Sequence, residues 1–198
     1  DPYQDDCIPG LAPVREKANE VLKSHEHDDH NAADNVEIVK TVASPFKITT
    51  IDTFHDEKNG TERGKNKIHI IETKNQRVAH LGDLTDEQMG QLYQVDALLI
   101  PVGGVYTLDA AQAAQLTVDL DARHTIPMHY KSVESEFDLP ELGTVYDYTL
   151  RLSGVWVNSL NTLDLDENYP AKVVVLQPQN MTKKFMSIGE MEKMSNTK

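Results

Sequence analysis

Ser24-His25-Glu26-His27-Asp28-Asp29-His30 gathers three of the chain's eight histidines and three carboxylates into one short stretch. Imidazole nitrogen and carboxylate oxygen are the donor atoms that hold Zn²⁺, Mn²⁺ or Fe. A helical H-E-x-x-H zinc site would need a histidine four residues after His25, and that position is Asp29. The His25/His27 spacing of i, i+2 does not share a helix face, whereas a strand end or loop can converge the two rings. His25 and His27 can therefore meet one metal, while Asp29 and His30 turn with the chain toward a second. Such a site needs further ligands, and the sequence offers them at the ends of apolar runs. His55 follows the Phe46–Phe54 run, Asp83 closes His80-Leu81-Gly82-Asp83, and His129 closes Pro127-Met128-His129. Each alone reads as structural; in this order they point to a metal site along one sheet edge.

The elements that would position them follow from hydrophobic pattern. Val21-Leu22 reads as a short strand running into His25. Phe46–Phe54, Lys67–Glu72 and Gln76–Leu81 read as strands, the last two joined by a hairpin turn at Thr73-Lys74-Asn75. Ala97–Val102 is a continuous apolar run, as in a strand buried on both faces. Thr125–Met128 and Lys172–Leu176 complete the set. A helix is expected from Thr85, where Thr85-x-x-Gln88 fits a capping box and Asp86 and Glu87 complement the positive helix end. Leu108–Leu120 is the clearest helix, with Ala113, Leu116 and Leu120 as its apolar stripe and Thr107 as its cap. Strands alternating with helices predict an α/β layered fold.

The chain's 198 residues suit one domain, expected over 1–180, followed by a tail over 181–198 that holds four of the six methionines and reads as a mobile terminus. A single cysteine, Cys7, excludes an internal disulfide framework and reads as passive. The net charge of −13 opposes binding to a nucleic-acid backbone or an anionic membrane. No apolar run approaches the ~20 residues of a spanning helix. A cytoplasmic chain is the expectation, although the first residue is Asp1 and not Met, so a leader cannot be read.

Taken in order, H-x-H-x-D-H, then His, Asp and His, the set resembles the metallo-β-lactamase superfamily. It is more closely similar to the branch of metal-dependent hydrolases that includes ascorbate-6-phosphate lactonase-like proteins. The words carrying that narrower likeness are Ser24–His30, Phe54-His55-Asp56, Arg63-Gly64-Lys65-Asn66, His80–Leu84, Pro101-Val102-Gly103-Gly104 and Ile126–Tyr130, spread over residues 1 to 130. The resemblance implies an αββα sandwich with a dinuclear site at one edge. His25, His27 and His55 would hold the first metal, Asp29, His30 and His129 the second, and Asp83 would bridge them. The ions would be two divalent metals, zinc foremost, with Mn or Fe as alternatives. His80, Tyr106 and Tyr130 are candidates for the surrounding shell, each with a structural role as the plain alternative.

The implied activity is hydrolysis of a small ester, lactone, amide or phosphodiester by a hydroxide shared between the metals, with Asp29 accepting the water's proton. An anionic substrate is admissible, since Arg63, Lys65 and the positive end of the Leu108 helix could attract it, and Gly103-Gly104 reads by default as a tight turn. A nuclease and a non-catalytic metal-binding protein of the same fold are the rival readings, the former opposed by the acidic body. The sequence departs from the pattern in three ways. No hairpin precedes Asp1-Pro2-Tyr3, so the first strands of the sandwich are expected to be absent, leaving a sheet edge that a partner copy could cover in a homo-oligomer. Thr85 stands where relatives often carry Gly-His. The segment between His30 and His55 is short, so a substrate-side loop is expected to be reduced.

Overall fold

The computed structural model describes residues 1–39, 43–85, 92–132, 139–158 and 160–179. Its centre is a seven-stranded mixed sheet built from β3 (Lys47–Phe54), β4 (Lys65–Glu72), β5 (Arg77–His80), β6 (Ala97–Pro101), β7 (His124–Met128), β8 (Val155–Val157) and β9 (Val173–Val175), in the order β3-β4-β5-β6-β7-β9-β8. Two short strands, β1 (Lys17–Ala18) and β2 (Glu37–Ile38), pair in parallel as a separate ladder. β4 runs antiparallel to both β3 and β5, and β5, β6 and β7 are mutually parallel. The strands β3, β5, β6 and β7 therefore all point the same way, and their C-terminal ends lie along one edge. That topology is what makes His55, Asp83 and His129 neighbours.

The core follows from the register. Ile70, Ala79, Leu98, Thr125 and Val173 are successive partners across the sheet, and all are buried. Helix α1 (Ala110–Leu120) lies between β6 and β7 in the chain and buries Ala113 and Leu116 in the same cluster. Full burial of a Leu or Ile here contributes about 1.5–3 kcal/mol. The short helix α2 (Val145–Thr149) is tied to α1 through a buried polar pair. Thr117 Oγ1 donates to the Ala113 carbonyl at 2.8 Å, so at its 2.7 Å contact with Tyr148 the Tyr hydroxyl is the donor. On the opposite face Ile71, Val78, Leu99 and Ile126 are half-buried, and His69 reaches off the sheet to the Lys23 carbonyl, Nε2 to O 2.9 Å.

The strands from Phe46 onward lie where the apolar pattern puts them, with ends shifted by a few residues. The turn between β4 and β5 is set by Thr73, whose hydroxyl accepts from the backbone N–H of Asn75 and Gln76. Three expectations are corrected. Val21-Leu22 joins no ladder; the Leu22 carbonyl accepts from the Asp1 amino group at 2.9 Å. Helix α1 starts at Ala110 and its cap is Asp109, not Thr107. Asp109 has extended backbone (φ −73°, ψ 170°), which keeps Leu108 outside the helix, and the Leu108 N–H is donated to the Leu84 carbonyl at 3.0 Å. Asp109 accepts from the N–H of Ala111 and Gln112, and Gln112 Oε1 accepts from the Asp109 N–H, a complete capping box. The strands β1, β2 and β8 and the five-residue α2 have no counterpart in the sequence reading. The helix expected after Thr85 and the tail over 181–198 lie outside the described residues. Among the described residues no helix is long and apolar enough to cross a membrane.

Candidate metal centre

Seven donor side chains converge beyond the C-terminal edge of the sheet. His25, His27 and His55 form one group, and Asp29, His30 and His129 another; within each, one donor atom per residue lies within 4.8 Å of the others. A third group, His25, His30 and Asp83, joins the two. Asp83 Oδ2 stands 3.2 Å from His55 Nε2, 3.3 Å from His129 Nε2 and 3.9 Å from His25 Nε2, while Oδ1 stands 3.5 Å from His30 Nε2. Asp29 Oδ2 is 3.3 Å from His30 Nε2 and 4.0 Å from His129 Nε2. His25, His55 and Asp83 are buried, whereas His27 is exposed. Imidazole rings crowd at 4.2 Å (His25 to His30) and 4.6 Å (His25 to His55) between centroids.

The surrounding contacts fix where the lone pairs point. Ser24 Oγ gives its proton to Asp1 Oδ2 at 2.8 Å, so at its 2.9 Å contact with His25 Nδ1 it accepts, and the His25 proton sits on Nδ1. The His25 Nε2 lone pair then faces the cluster. His30 Nδ1 likewise donates to Asp1 Oδ2 at 3.2 Å, leaving Nε2 toward Asp29 and Asp83. Such outer carboxylates orient metal-binding histidines. Asp83 is held by its backbone: its N–H donates to Asn66 Oδ1 at 3.0 Å, and the preceding Gly82 N–H donates to His80 Nδ1 at 3.1 Å. Gly82 has φ +56°, and a Cβ there would meet Asn66 Oδ1 at 2.3 Å and Ser24 Cβ at 2.5 Å. His129 also sits in the left-handed region, at φ +50°, an uncommon conformation for a side chain-bearing residue. A Cβ at Gly103 would come 2.3 Å from the His129 carbonyl, so this glycine permits a close backbone approach behind the ligand.

Whether these residues suit a metal can be judged from their unspent donors. His25 Nε2, His55 Nε2 and Asp83 Oδ1 are buried without a hydrogen bond among the described residues. Buried polar atoms are normally paired, and leaving one unpaired costs about 1–3 kcal/mol. A divalent cation in their midst would take up those lone pairs, and the all-nitrogen-and-oxygen set suits zinc, manganese or iron. Electrostatics agree. Burial, then the neighbouring His30 charge, push His25 down to about 3, so it is a neutral donor at pH 7. Burial acts to raise the Asp83 carboxyl, but His129 and His55 outweigh it and hold it well below the usual carboxylate range. Burial likewise acts to raise Asp29, and His30 more than offsets it. His129 moves the other way: burial lowers it, and Asp83 raises it further than that.

The candidates for the surrounding shell separate by environment. His80 accepts from Gly82 and shapes the Asp83 turn. Tyr130 is half-buried, packs on the core and lines a cavity beside Asp29 and His129. Tyr106 is exposed at the same cavity, and the Arg63 guanidinium lies over its ring at 4.1 Å. Arg63 is carried there by a loop folded around Asp56, whose carboxylate accepts from the N–H of Lys58, Gly60, Glu62 and Arg63. The helix end considered for anion binding is occupied by Asp109. Asp1, Ser24, Asn66 and His69 are not singled out by the sequence; the one signal for two of them is that Ser24 and Asn66 lie within the motifs Ser24–His30 and Arg63-Gly64-Lys65-Asn66.

A family model described as a beta-lactamase superfamily domain matches residues 1–129 of the chain. A putative Zn-dependent hydrolase of the metallo-beta-lactamase superfamily from Thermotoga maritima superposes with a TM-score of 0.69 at 30% identity, over 90% of this chain and 88% of that one. The chain belongs to the metallo-β-lactamase superfamily. Its curated relatives include proteins named UPF0173 metal-dependent hydrolase. That from Hyperthermus butylicus is 27% identical over 165 residues, which cover 62% of this chain and 72% of the relative. That from Pyrobaculum aerophilum is 38% identical over 74 residues, 35% of this chain and only 33% of the relative's length. The narrower likeness to ascorbate-6-phosphate lactonase-like proteins is carried by the motif words alone.

Proposed function

We propose that this superfamily member is a metal-dependent hydrolase holding two divalent ions, zinc foremost, and acting on a small ester, lactone, amide or phosphodiester. The observation that carries the reading is the pair of three-residue donor groups flanking Asp83, with buried lone pairs left unspent. His25, His27 and His55 would hold one ion, Asp29, His30 and His129 the other, and Asp83 would bridge them. Ions bound there supply Lewis acidity and bring the pKa of bound water to about 7. The chain's own residues do the rest. Asp1 and Ser24 keep the His30 and His25 protons on Nδ1, so both rings present Nε2. Asn66 and His80 hold the Asp83 turn. Asp29, ionised at neutral pH and half-buried, accepts a proton during the reaction and returns it to the leaving group.

The reading includes a small-molecule substrate and no nucleic acid or membrane partner, as the net charge of −13 supports. It includes a cytoplasmic location and a homo-oligomer that uses the long edge strand β3. Zinc titration of the metal-free chain with elemental analysis, alongside a panel of ester, lactone, amide and phosphodiester substrates, tests the core of it. Two ions per chain and loss of turnover in both His27→Ala and Asp83→Ala are expected. Less than one ion per chain overturns the dinuclear assignment. Turnover unchanged in both variants overturns the site. Two bound ions with no turnover across the panel would leave a metal-binding protein of this fold.

A further inference from the structure

A cavity of about 870 Å³ opens directly beside the metal centre, with Asp29 and His129 in its wall. Its size falls within the roughly 300–1,000 Å³ of small-molecule sites. The rest of its wall comes from separate parts of the chain. Ile8 and Leu11 come from the N-terminal segment, Met128 and Tyr130 from the end of β7, and Leu139 and Leu142 from the approach to α2. Among the described residues that line it, Asp28 and Asp29 are the acidic ones and none is a lysine or arginine, while Ser132, Asn161, Gln177 and Gln179 add uncharged polar groups. Lys131, between the lining residues Tyr130 and Ser132, gives its ammonium to the Leu139 carbonyl at 3.4 Å, and the Arg63 guanidinium is engaged on the Tyr106 ring. An anionic group seated among the leucine and isoleucine side chains would give up its hydration there, with Asp28 and Asp29 as the charged residues among the described lining. A saturated chain would displace water from leucine and isoleucine surface at no such cost.

We infer that this cavity binds the uncharged, apolar acyl or alkyl portion of the substrate, so that the reaction is hydrolysis of a neutral ester, lactone or amide whose carbonyl lies at the Asp29/His129 mouth. The inference rests on the metal-hydrolase reading for its chemistry, and on the cavity alone for its ligand. In the reaction, water adds to the carbonyl carbon and the acyl C–O or C–N bond breaks. One oxygen of the product carboxylate and the hydrogen taken up by the alcohol or amine come from that water, and an ester or lactone releases one proton to solvent. No oxidant or second substrate is needed.

Two measurements decide it. In the first, the full chain is loaded with zinc and given p-nitrophenyl acetate, butyrate, hexanoate and octanoate. Rising kcat/KM, by about two- to fourfold per added methylene, is expected from the transfer of each CH₂ out of water. In the second, neutral Nile red bound to the metal-free chain is displaced by hexanamide and octanamide and by the matching carboxylates. The amides should displace it more tightly as the chain lengthens and at least tenfold more tightly than the carboxylates. Ile8→Lys and Leu139→Lys, each checked for folding by circular dichroism and for unchanged zinc stoichiometry, should weaken displacement about tenfold and flatten the ester series. Ester rates independent of chain length, carboxylates binding as well as amides, or indifference of both folded variants overturn the inference. Displacement that behaves as expected without turnover of these esters or of the lactone, amide and phosphodiester panel supports the cavity's ligand class and overturns the hydrolase reading instead.

Discussion

Asn66 offers the sharpest test of how the fold aims its ligands. Its side chain is fully buried, and two of its three hydrogen bonds hold the Asp83 approach. Nδ2 donates to the Leu81 carbonyl and to Thr53 Oγ1, both at 2.9 Å, and Oδ1 accepts from the Asp83 N–H at 3.0 Å. Asn66→Ala leaves the Asp83 N–H and the Leu81 carbonyl without that partner in a region closed to water. At about 1–3 kcal/mol for each such group, the loss is about 2–6 kcal/mol of stability. The turn carrying Asp83 is then free to shift, and loss of an outer partner of this kind typically weakens metal binding by about 10–100-fold. Thr53→Val is the matched control. It removes one acceptor of Nδ2 while leaving the Asp83 bond in place, so it should cost stability and spare metal affinity. Urea unfolding of the metal-free chain measures the first quantity, and competition with a chromophoric zinc chelator the second. Zinc affinity of Asn66→Ala within twofold of the parent, at the expected loss of stability, would falsify the positioning role and leave Asn66 as a core contact.

Gly82→Ala should cost about 1–2 kcal/mol from its left-handed backbone alone. It should cost more through the clash with Asn66 and Ser24, and zinc affinity should fall with stability; a variant with parental melting temperature and affinity refutes the turn's tightness. The metal-free chain should lose stability on acidification: His25 and His80 are both pushed down to about 3 by burial, so below pH 6.5 they take protons in the unfolded chain but not in the folded one. His129, raised by Asp83, takes up its extra proton above pH 6.5, outside this range, so a fall in melting temperature is expected between pH 6.5 and 4, and a flat profile over that window refutes the assignment.

The cluster of donor side chains was legible because its residue types are rare together and because strand ends can be read from apolar runs. That His55, Asp83 and His129 meet depends on β3, β5 and β7 pointing the same way, and the spacing of hairpin and crossover connections carries that information. The boundary at Leu108 was not legible, because Thr107 and Asp109 can both cap a helix. The choice falls to a hydrogen bond from Leu108 to Leu84, 24 positions away in the chain. Val21-Leu22 failed as a strand for a related reason: the Leu22 carbonyl is taken by the Asp1 amino group, 21 positions away, and not by a backbone ladder.

The same long-range character hides Asp1, Ser24 and Asn66. Their residue types are common, and nothing local distinguishes them from surface or turn residues. Yet they set how the clustered donor side chains are presented. A histidine presents a lone pair from only one of its nitrogens when neutral, and Asp1 and Ser24 determine which one. Without them His25 and His30 would still be near Asp83, but either ring could place a proton where a metal must bind. Ligand identity is thus a local property of the sequence, whereas ligand readiness belongs to contacts that span from one residue, Ser24 to His25, to twenty-nine, Asp1 to His30. For that reason Asn66→Ala and Gly82→Ala, which leave every proposed ligand in place, probe the site more stringently than removal of a histidine.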